Sequence, residues 1–292
     1  MSVHLHRKSI ICTPATSTAR YVAAQRCGAD VGLVDLEDSV AAAHKDAART
    51  AAEGYFNAAG EVTCDLALRI NSPFSADGLR DLLAAAAYSR RPAIVLIPKV
   101  ESARDIEFVA GALDCDGYAP ELYAVVETPR GVGQLASIVQ VSRLGGLVFG
   151  AADYALQTGA ALRWAPLEFA RSAIVNAAGS AGLPAIDSPY FDVRDLDGLR
   201  REARLAKALG YCGEVAVHPC QVPVINAAFF PSEQEINRAR AIVVAGESAR
   251  MDVTAVDGQM VGTPFFAAAS ALVDQVAELC SRRGSAGGAL QR

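Results

Sequence analysis

Short apolar runs alternate with longer stretches of helical periodicity along most of this chain. Each run is rich in branched aliphatic residues and is bounded by Gly, Pro or a charged residue, a pattern typical of strands buried on both faces of a parallel sheet. The runs predict strands at Ser9–Thr13, Val31–Leu36, Leu66–Ile70, Ala93–Ile97, Tyr123–Val126, Leu147–Phe149, Leu183–Asp187 and Val215–Val217. The stretches between them predict helices at Thr18–Cys27, Ala41–Ala59, Asp77–Ser89 and Ser102–Leu113, over about fifteen residues after Gly131, and at Pro166–Ala181 and Asp195–Leu209.

The order of these elements indicates an α/β fold. Strands that alternate with helices, with polar residues gathered just past the strand ends, predict a TIM (β/α)8 barrel, and a doubly wound open sheet is the alternative. After Ser232 the alternation stops, and the pattern predicts a helix, then a loop or small hairpin, then another helix, at Glu233–Ser248, Met251–Met260 and Thr263–Ser281. We therefore expect a barrel domain over residues 1–231 and a C-terminal helical extension or lid over residues 232–292, with a frayed tail.

Two carboxylates follow neighbouring predicted strands. Glu127 comes directly after the apolar run that ends at Val126, and Asp153 follows Phe149 through Gly150. Neighbouring parallel strands lie about 4.8 Å apart, so side chains just past their carboxyl ends can reach one ion. Oxygen ligands on a half-open site suit Mg²⁺, which keeps water or substrate oxygens as its other ligands. The pattern therefore predicts a magnesium site at Glu127 and Asp153, with two solvated loop acids as the alternative.

Composition narrows the class of protein. The 292 residues are 52% hydrophobic and 20% charged, which permits a large core and argues against disorder. The 27 basic and 32 acidic residues give a net charge of −5, which argues against nucleic acid as the partner. No apolar run is long enough to span a bilayer, and the amino terminus lacks the apolar segment of a signal peptide. Seven scattered cysteines without a CxxC pair indicate reduced thiols, so we expect a cytoplasmic protein with no membrane partner.

The residues at the strand ends carry a family resemblance. Asp35–Val40 reads DLEDSV and is followed by Lys45 and Arg49, which resembles the DLEDaV…K…AR signature of the citrate lyase beta-subunit family. That family belongs to the wider group of HpcH/HpaI aldolases, which includes malyl-CoA and citramalyl-CoA lyases. The resemblance continues in the same order along the barrel, through Arg69–Asn71, Pro98–Glu101, Glu127–Gly131, Phe149–Asp153 and Val217–Pro219. No single motif is decisive, but the ordered set is highly specific.

The resemblance implies a function as well as a fold. It implies a TIM barrel that forms a homo-oligomer, a trimer or hexamer, and binds Mg²⁺ through Glu127 and Asp153. It also implies a carbon–carbon lyase that cleaves a hydroxyacyl-CoA thioester into an acyl-CoA and a keto acid, or forms it from them. In such a site Arg69 holds the keto-acid carboxylate or the developing alkoxide with its planar fork. Glu37 and Asp38 resemble the family acids that orient the arginine and the metal waters.

Further residues are candidates for substrate binding. The backbone N–H groups of Gly150, Ala151 and Ala152 can meet an anion where strand six turns into a helix. Lys45 and Arg49 fall on the helix after strand two, where CoA phosphates can dock, although most Lys and Arg residues on helices are merely solvated. These five residues complete the expected substrate site.

Some of these residues have a structural alternative. Arg69 can be a barrel-mouth residue that pairs with Glu37 or Asp38, since ion-pair networks mimic active sites. Lys99, which follows strand four, can contact phosphate or pair with Glu101. The sequence leaves these alternatives open.

Two positions depart from the family pattern. Many members carry an acid in a C-terminal motif G-x-M-[IV]-D-x-P that reaches a neighbouring subunit's site, and Gly262 stands in its place here. Glycine cannot transfer a proton, so either Asp257 or a substrate group takes that role, or the reaction differs from malyl-CoA cleavage. Glu214 stands before the motif of His218, where a lysine is common in the family, and this charge reversal puts the usual CoA contacts in doubt. His218 itself is either a hydrogen-bonded structural residue or a catalyst.

Three functional hypotheses follow from these observations. The first is a Mg²⁺-dependent carbon–carbon lyase that acts on a CoA thioester. The second is a CoA-independent class II aldolase of the pyruvate or glyoxylate type. The third is a catalytically weakened barrel that binds metal and keto acid as a subunit. Dependence on acyl-CoA separates the first two, and any turnover separates both from the third.

Overall fold

Parallel strands close into a barrel in the computed structural model, which describes residues 7–58, 64–115 and 117–287. The strands pair in chain order, and the first also pairs with the eighth, where Ile10 is the register partner of Val215. This closure confirms the predicted TIM barrel and excludes the open sheet. The strands are β1 Ser9–Pro14, β2 Val31–Asp35, β3 Asp65–Arg69, β4 Ile94–Ile97, β5 Glu121–Val126, β6 Leu144–Phe149, β7 Ala185–Asp187 and β8 Gly213–Ala216.

Helices follow the strands within the unit Arg7–Phe229. They are α1 Tyr21–Arg26, α2 Lys45–Ala58, α3 Ala76–Ala87, α4 Ala103–Leu113, α5 Pro129–Gly133, α6 Leu135–Ile138, α7 Ala151–Thr158, α8 Trp164–Ala181, α9 Leu196–Leu209 and α10 Val222–Phe229. Single turns of 3-10 helix precede α1 and α2, at Thr18–Arg20 and Ala42–His44, so both helices begin later than predicted. The predicted end of α2 at Ala59 lies outside the described residues.

The connections after β5 and β6 differ from the prediction. The stretch after Glu127 forms two short helices rather than one, because the backbone of Gln134 leaves the helical region at φ −109° and ψ 7°. Helix α7 was not predicted, because its eight residues offer too little periodicity to stand out. It begins directly after Gly150 and ends at Gly159, whose φ of 70° is the left-handed conformation that glycine favours at a helix end.

The strands fill the barrel with alternate side chains. Their inward side chains form one apolar cluster, which comprises Ile10, Val31, Leu33, Ala67, Ile94, Leu96, Tyr123, Val125, Val148, Ile186 and Val215. Their outward side chains pack against the helices in a second, larger cluster. Because the side-chain period along a strand is two, the next inward positions on β2, β3 and β5 belong to Asp35, Arg69 and Glu127. Polar residues therefore cover the apolar interior at its carboxyl end.

A second unit includes Phe230 and the chain that follows it. It contains α11 Glu233–Ser248, the hairpin strands β9 Thr254–Val256 and β10 Gln259–Val261, and α12 Thr263–Gly287. Ser232 and Glu235 cap α11 reciprocally. The hairpin turns at Asp257 and Gly258, whose φ angles of 50° and 77° suit a tight two-residue turn. This unit has its own apolar cluster, which comprises Ala239, Ile242, Val256, Val261, Phe266 and Ala269.

The cysteines whose side chains are described are all free thiols, as expected. They are Cys12, Cys27, Cys64, Cys115, Cys212 and Cys220. The side chain of Cys280 lies outside the described part of the chain. Among the described helices, none combines the length and the hydropathy needed to cross a membrane.

Candidate active site

Asp35 and Arg69 form an ion pair at the carboxyl ends of β2 and β3. The two residues are register partners, which brings their inward side chains side by side. Arg69 donates from Nε to Asp35 Oδ1 and from Nη2 to Asp35 Oδ2, both at 2.7 Å. Burial alone would raise the pKa of Asp35, but the hydrogen bonds and charge of Arg69 outweigh it and hold that pKa below its usual value. Asp35 is therefore ionised and fixes the orientation of the guanidinium.

Glu37 joins Arg69 to a second cation, Lys99. Arg69 Nη1 lies 3.1 Å from Glu37 Oε2, so the pairing weighed as an alternative for this arginine is present. Lys99 Nζ lies 2.5 Å from Glu37 Oε1 and 3.5 Å from Asp38 Oδ2. Of the two alternatives weighed for Lys99, pairing with Glu101 is not observed, because the Lys99 ammonium lies next to these acids instead. Glu37 therefore bridges the two cations of the barrel mouth.

Glu127 is buried at the carboxyl end of β5. One of its oxygens, Oε1, accepts the backbone N–H of Lys99 at 2.8 Å. Burial, and then the nearby negative charge of Glu37, raises the pKa of Glu127 to about 8. Gly150 makes room for it, because a Cβ at this position would overlap the Glu127 side chain. A cation bound at this position would therefore stabilise the ionised form of Glu127.

Asp153 supplies a second carboxylate from the first turn of α7. Its Oδ2 lies 3.0 Å from Lys99 Nζ. Among the described buried side-chain oxygens, Asp153 Oδ2 and Glu37 Oε2 accept no hydrogen bond. Glu127 and Asp153 both line one cavity of about 430 Å³ at the barrel mouth, together with Arg69 and Asp38. The lining of the cavity thus includes both carboxylates that the sequence predicted as metal ligands.

This donor set fits a magnesium ion. Within the described residues, no group of three or more His, Cys, Asp or Glu side chains converges on a metal position. Mg²⁺ is commonly held by one or two carboxylates and completes its octahedron with water and substrate oxygens. Glu127 and Asp153 can supply the two carboxylates, and the cavity leaves space for the remaining ligands.

Lys45 and Arg49, the expected ligands of the CoA phosphates, are both bound to other groups of the protein, and Arg49 is buried while Lys45 is half-buried. Lys45 Nζ donates to the carbonyl oxygens of Leu36 and Glu37 at 2.7 Å each, and to Asn71 Oδ1 at 2.6 Å. All three ammonium hydrogens are therefore used to hold the loop after β2. Arg49 is likewise bound by a set of aspartates, namely Asp46, Asp77 and Asp81.

The backbone at the start of α7 is only partly available to an anion. The N–H of Gly150 donates to the Val126 carbonyl at 3.1 Å, and that of Ala151 donates to Ser188 Oγ at 3.1 Å. Ala152 is the second residue of α7, where the helix itself offers the N–H no acceptor. The expected three-amide anion site therefore reduces to the amide of Ala152.

His218 caps a turn after β8, and Glu214 is buried within β8. His218 Nδ1 accepts the backbone N–H of Cys220 at 3.2 Å and caps the turn Pro219–Gln221. Glu214 lies in β8 and is 2% exposed. Burial, and then the charge of Asp187, raises its pKa well above the usual range. A side chain buried in this way does not face the phosphates of CoA, so its expected influence on CoA binding is indirect.

The family match decides which group of proteins this chain belongs to. Residues 8–219 match the family described as HpcH/HpaI aldolase/citrate lyase. The chain belongs to this family. A citrate lyase subunit beta-like protein of Mycobacterium tuberculosis is 35% identical over 280 residues, which cover 92% of this chain and 95% of the relative. A (3S)-malyl-CoA thioesterase of Cereibacter sphaeroides is 32% identical over 263 residues, which cover 87% of this chain and 89% of the relative.

A solved structure supports the HpcH/HpaI assignment. CitE from Mycobacterium tuberculosis, in complex with magnesium, acetoacetate and coenzyme A, aligns with a TM-score of 0.78 at 33% identity. The alignment covers 91% of this chain and 97% of CitE. The resemblance and the fold predicted from the sequence are thereby confirmed, and the relatives place this HpcH/HpaI member among lyase-type enzymes.

Sequence reasoning missed some residues that line the cavity of this HpcH/HpaI barrel. Arg20 lines both the main cavity and a neighbouring cavity of about 250 Å³ at the mouth of β1 and β8. Phe191 and Ser188, from the loop after β7, line the main cavity as well. The only signal for Arg20 was a basic residue soon after β1, and such residues are common on helices. The loop after β7 gave no signal, because the seventh strand was itself weakly predicted.

Proposed function

We propose that this protein is a Mg²⁺-dependent carbon–carbon lyase of the citrate lyase beta-subunit type. Its reaction cleaves a hydroxyacyl-CoA thioester into an acyl-CoA and a keto acid, or joins them. The observation that carries the proposal is the convergence of Glu127, Asp153 and Arg69 on one cavity of about 430 Å³. The magnesium, acetoacetate and coenzyme A bound by CitE support it. We further propose a homo-oligomer, a trimer or hexamer, as in the family pattern.

The chain's own residues can bind and orient the keto acid. When bound between Glu127 and Asp153, Mg²⁺ would act as a Lewis acid on the keto-acid carbonyl and as a template for its carboxylate. Asp35 holds the guanidinium of Arg69 through two parallel hydrogen bonds. Arg69 therefore keeps a fixed orientation, and its positive charge stabilises the carboxylate or the alkoxide oxygen as charge develops. Because Arg69 is preorganised, little reorganisation accompanies the reaction.

The apolar walls of the cavity suit the rest of a small substrate. Leu33, Leu96, Val125, Val148 and Val215 line its floor, which is the top of the barrel interior. These side chains exclude water from the reacting carbon atoms and strengthen the electrostatic interactions above them. A short keto acid fits this combination of an apolar floor and a charged rim.

A substrate screen tests the proposal. Purified protein with Mg²⁺ is incubated with a panel of hydroxyacyl-CoA thioesters, and release of keto acid is measured. We expect cleavage of at least one thioester that is lost on chelation of the metal. Asp153→Ala is the matched control, which should remove Mg²⁺ binding while the circular dichroism spectrum is retained. Turnover that is unaffected by chelation, or unchanged Mg²⁺ affinity of the variant by calorimetry, would contradict the metal assignment.

One observation favours a CoA-independent aldolase as the second candidate. Lys45 and Arg49, the expected phosphate ligands, are engaged inside the fold, and Glu214 is buried. Neither Lys45 nor Arg49 therefore offers a free positive charge to CoA, and Glu214 cannot replace the lysine that is common at its position in the family. If keto acid and free aldehyde condense at the same rate with and without CoA, the second candidate replaces the first.

Gly262 gives a further way to define the reaction. Glycine at the position of the family acid leaves this motif without a proton donor or acceptor, and a positioned acid or base contributes about 10²–10⁴-fold to a rate. We expect slow cleavage of malyl-CoA or citramalyl-CoA by the wild-type protein and faster cleavage by Gly262→Asp. A Cβ at Gly262 makes only an ordinary contact with Val253, so the variant should fold. A fast wild type with no gain in the variant would show that another residue is the base.

A further inference from the structure

The ammonium group of Lys99 lies next to Asp153 Oδ2, a carboxylate oxygen of the proposed metal site. Its ammonium nitrogen lies 3.0 Å from Asp153 Oδ2, and Asp153 is one of the two proposed ligands. The same nitrogen lies 2.5 Å from Glu37 Oε1. A divalent cation bound to Asp153 therefore meets the positive charge of Lys99 at the same carboxylate. Lys99 and the metal ion would therefore compete for the carboxylate of Asp153.

The backbone keeps Lys99 in this position. Its φ of 53° lies in the left-handed region, which residues other than glycine adopt rarely. The N–H of Lys99 donates to Glu127 Oε1 at 2.8 Å, so the backbone of the lysine is tied to the second proposed ligand. The N–H of the next residue, Val100, donates to the Val125 carbonyl at 3.2 Å and continues the barrel pairing. Strained backbone of this kind clusters at functional sites, where surrounding contacts enforce it.

Lys99 differs from Arg69 in how firmly its side chain is held. Arg69 is held by two hydrogen bonds to the fully buried Asp35, and it does not contact Glu127 or Asp153 among the described ion pairs. The side chain of Lys99 is 34% exposed and can change partners within the cavity. Lys99, rather than Arg69, is thus placed to exchange with a metal ion.

We propose that Lys99 is a resident counter-ion that competes with the divalent metal for Asp153 and thereby sets the metal affinity of the site. The proposal rests on the proposed metal site and adds a role for a residue outside the ligand pair. When Asp153 turns to the metal, Lys99 keeps its contacts with Glu37 and Asp38. The mouth then retains a positive charge beside the metal, where the carboxylate of a keto acid binds. Lys99 is therefore a positioning residue rather than a catalytic one.

A Mg²⁺ titration of lysine variants tests the competition. Isothermal calorimetry compares the wild type with Lys99→Met, which keeps the aliphatic stem, and with Lys99→Gly, which also relieves the positive φ. Loss of one competing charge near the metal should tighten Mg²⁺ binding about tenfold in both variants. Arg130→Met is the matched control. It removes the same charge from an exposed residue that pairs only weakly, at 3.7 Å, with Glu101, so we expect a change of less than about twofold.

Thermal unfolding with and without Mg²⁺ supplies a second readout. The rise in melting temperature on adding Mg²⁺ should be larger in Lys99→Met than in the wild type, because tighter binding to the folded state stabilises it further. Circular dichroism establishes that each variant is folded.

Every outcome of the titration decides between the two proposals. Tighter binding by both Lys99 variants, including binding that appears only in the variants, supports the competition. Binding by the wild type with equal or weaker binding by the variants overturns the role of Lys99 and leaves the metal site intact. Absence of Mg²⁺ binding in wild type and variants alike overturns both. A gain in Lys99→Gly alone would show that backbone strain controls the affinity, and would also overturn the competition.

Discussion

Two regions of the barrel bury several acids together, and they neutralise them in different ways. At the mouth, Glu37 and Glu127 lie close to Arg69 and Lys99. The second region, which we call the seam, consists of the outward side chains of β7 and β8, with one side chain each from α8 and α9. Its members are Asp187, Glu214, Arg171 and Glu202. At the mouth, Arg69 and Lys99 each pair with at least two acids, whereas the seam has one arginine for three acids.

In the seam, Arg171 pairs with Asp187, and Glu214 has no cation of its own among the described ion pairs. Asp187 and Glu214 are register partners and face outward, because Ile186 and Val215 face the barrel interior. Arg171 Nε contacts both oxygens of Asp187 at 3.0 Å. Glu214 Oε2 is among the described buried atoms that have no hydrogen-bond partner. Burial and the two neighbouring acids raise the pKa of Glu214 well above its usual value, because both disfavour the charged form.

The difference between the regions lies in access. Glu127 and Asp153 line an open cavity, so an ion from solution can supply the positive charge that they lack. Glu214 is 2% exposed, so no ion from solution reaches it, and its pKa is raised instead. A cluster of acids therefore indicates a binding site only where the fold also leaves a path to it. Four substitutions sharpen this contrast.

The largest effect is expected for Arg69→Met. It leaves the charge of Asp35 buried and unpaired, which costs about 3–5 kcal/mol of the free energy of unfolding. Urea denaturation measures the loss. Adding Asp35→Asn to the same protein should restore much of it, because the orphaned charge is then removed. A loss below about 1 kcal/mol would mean that water reaches Asp35 and that the mouth is more open than the geometry indicates.

Arg69→Lys should act on catalysis more than on stability. Lysine keeps the charge but cannot reproduce the two parallel hydrogen bonds to Asp35, so the cation loses its fixed orientation. We expect kcat/KM to fall by about a hundredfold, which corresponds to roughly 2–4 kcal/mol of transition-state stabilisation. Steady-state kinetics on the substrate found in the screen measure this. Wild-type activity in the lysine variant would refute the clamp role of Arg69.

Gly150→Ala tests whether Mg²⁺ binding depends on the position of the Glu127 side chain. The added Cβ overlaps the Glu127 side chain and forces it to move. Displacing a metal ligand in this way should weaken Mg²⁺ binding about 10–100-fold. Gly54→Ala is the matched control, since a Cβ there meets no atom within 4 Å. That control should leave Mg²⁺ affinity unchanged and stabilise the helix by about 0.5–1 kcal/mol. Equal Mg²⁺ affinity in both variants would exclude a ligand role for Glu127.

The smallest effect is expected at the seam, for Glu214→Gln. A carboxyl group with a raised pKa in the folded state binds its proton more tightly there than in the unfolded chain. Its stabilising contribution is complete below the unfolded pKa and is lost as the pH rises towards the folded pKa. Between pH 5 and 8 the wild type should therefore lose more of its free energy of unfolding than the glutamine variant does, because only the wild type has a carboxyl group to deprotonate at this position. Parallel pH dependences of urea unfolding would show that Glu214 is ionised in the folded protein.

Much of the site could be predicted because it depends on strand ends. Glu127, Asp153 and Arg69 follow apolar runs, and parallel strands bring such ends together whatever the details of packing. The partners of Lys99 could not be predicted, because they depend on an unusual backbone angle and on a long, flexible side chain. Lys45 was assigned to CoA because it falls on the helix after strand two, where CoA phosphates can dock. Its acceptors could not be predicted, because they are two carbonyl oxygens of the loop after β2 and the side chain of Asn71, 26 residues away.

The burial of Glu214 was not predicted, because the predicted start of the eighth strand was two residues too late. The eighth strand was predicted to begin at Val215, which left Glu214 in an exposed loop. The strand begins at Gly213, so Glu214 belongs to it and alternates outward into the layer between strands and helices. Period-two alternation assigns the correct face only when the strand start is known, and composition alone does not fix that start.

The closure of β1 on β8 has a consequence for the order in which the molecule assembles during synthesis. Asp35 and Arg69 are 34 residues apart and lie on adjacent strands, so this ion pair can form while the chain is still being extended. Ser9 donates its hydroxyl to Asn226, 217 residues away, and the barrel cannot close before that region has left the ribosome. Contacts between such distant residues form slowly. The nascent chain therefore carries an open edge on β1 through most of its translation, and chaperones that shield unpaired strands should bind it there until β8 arrives.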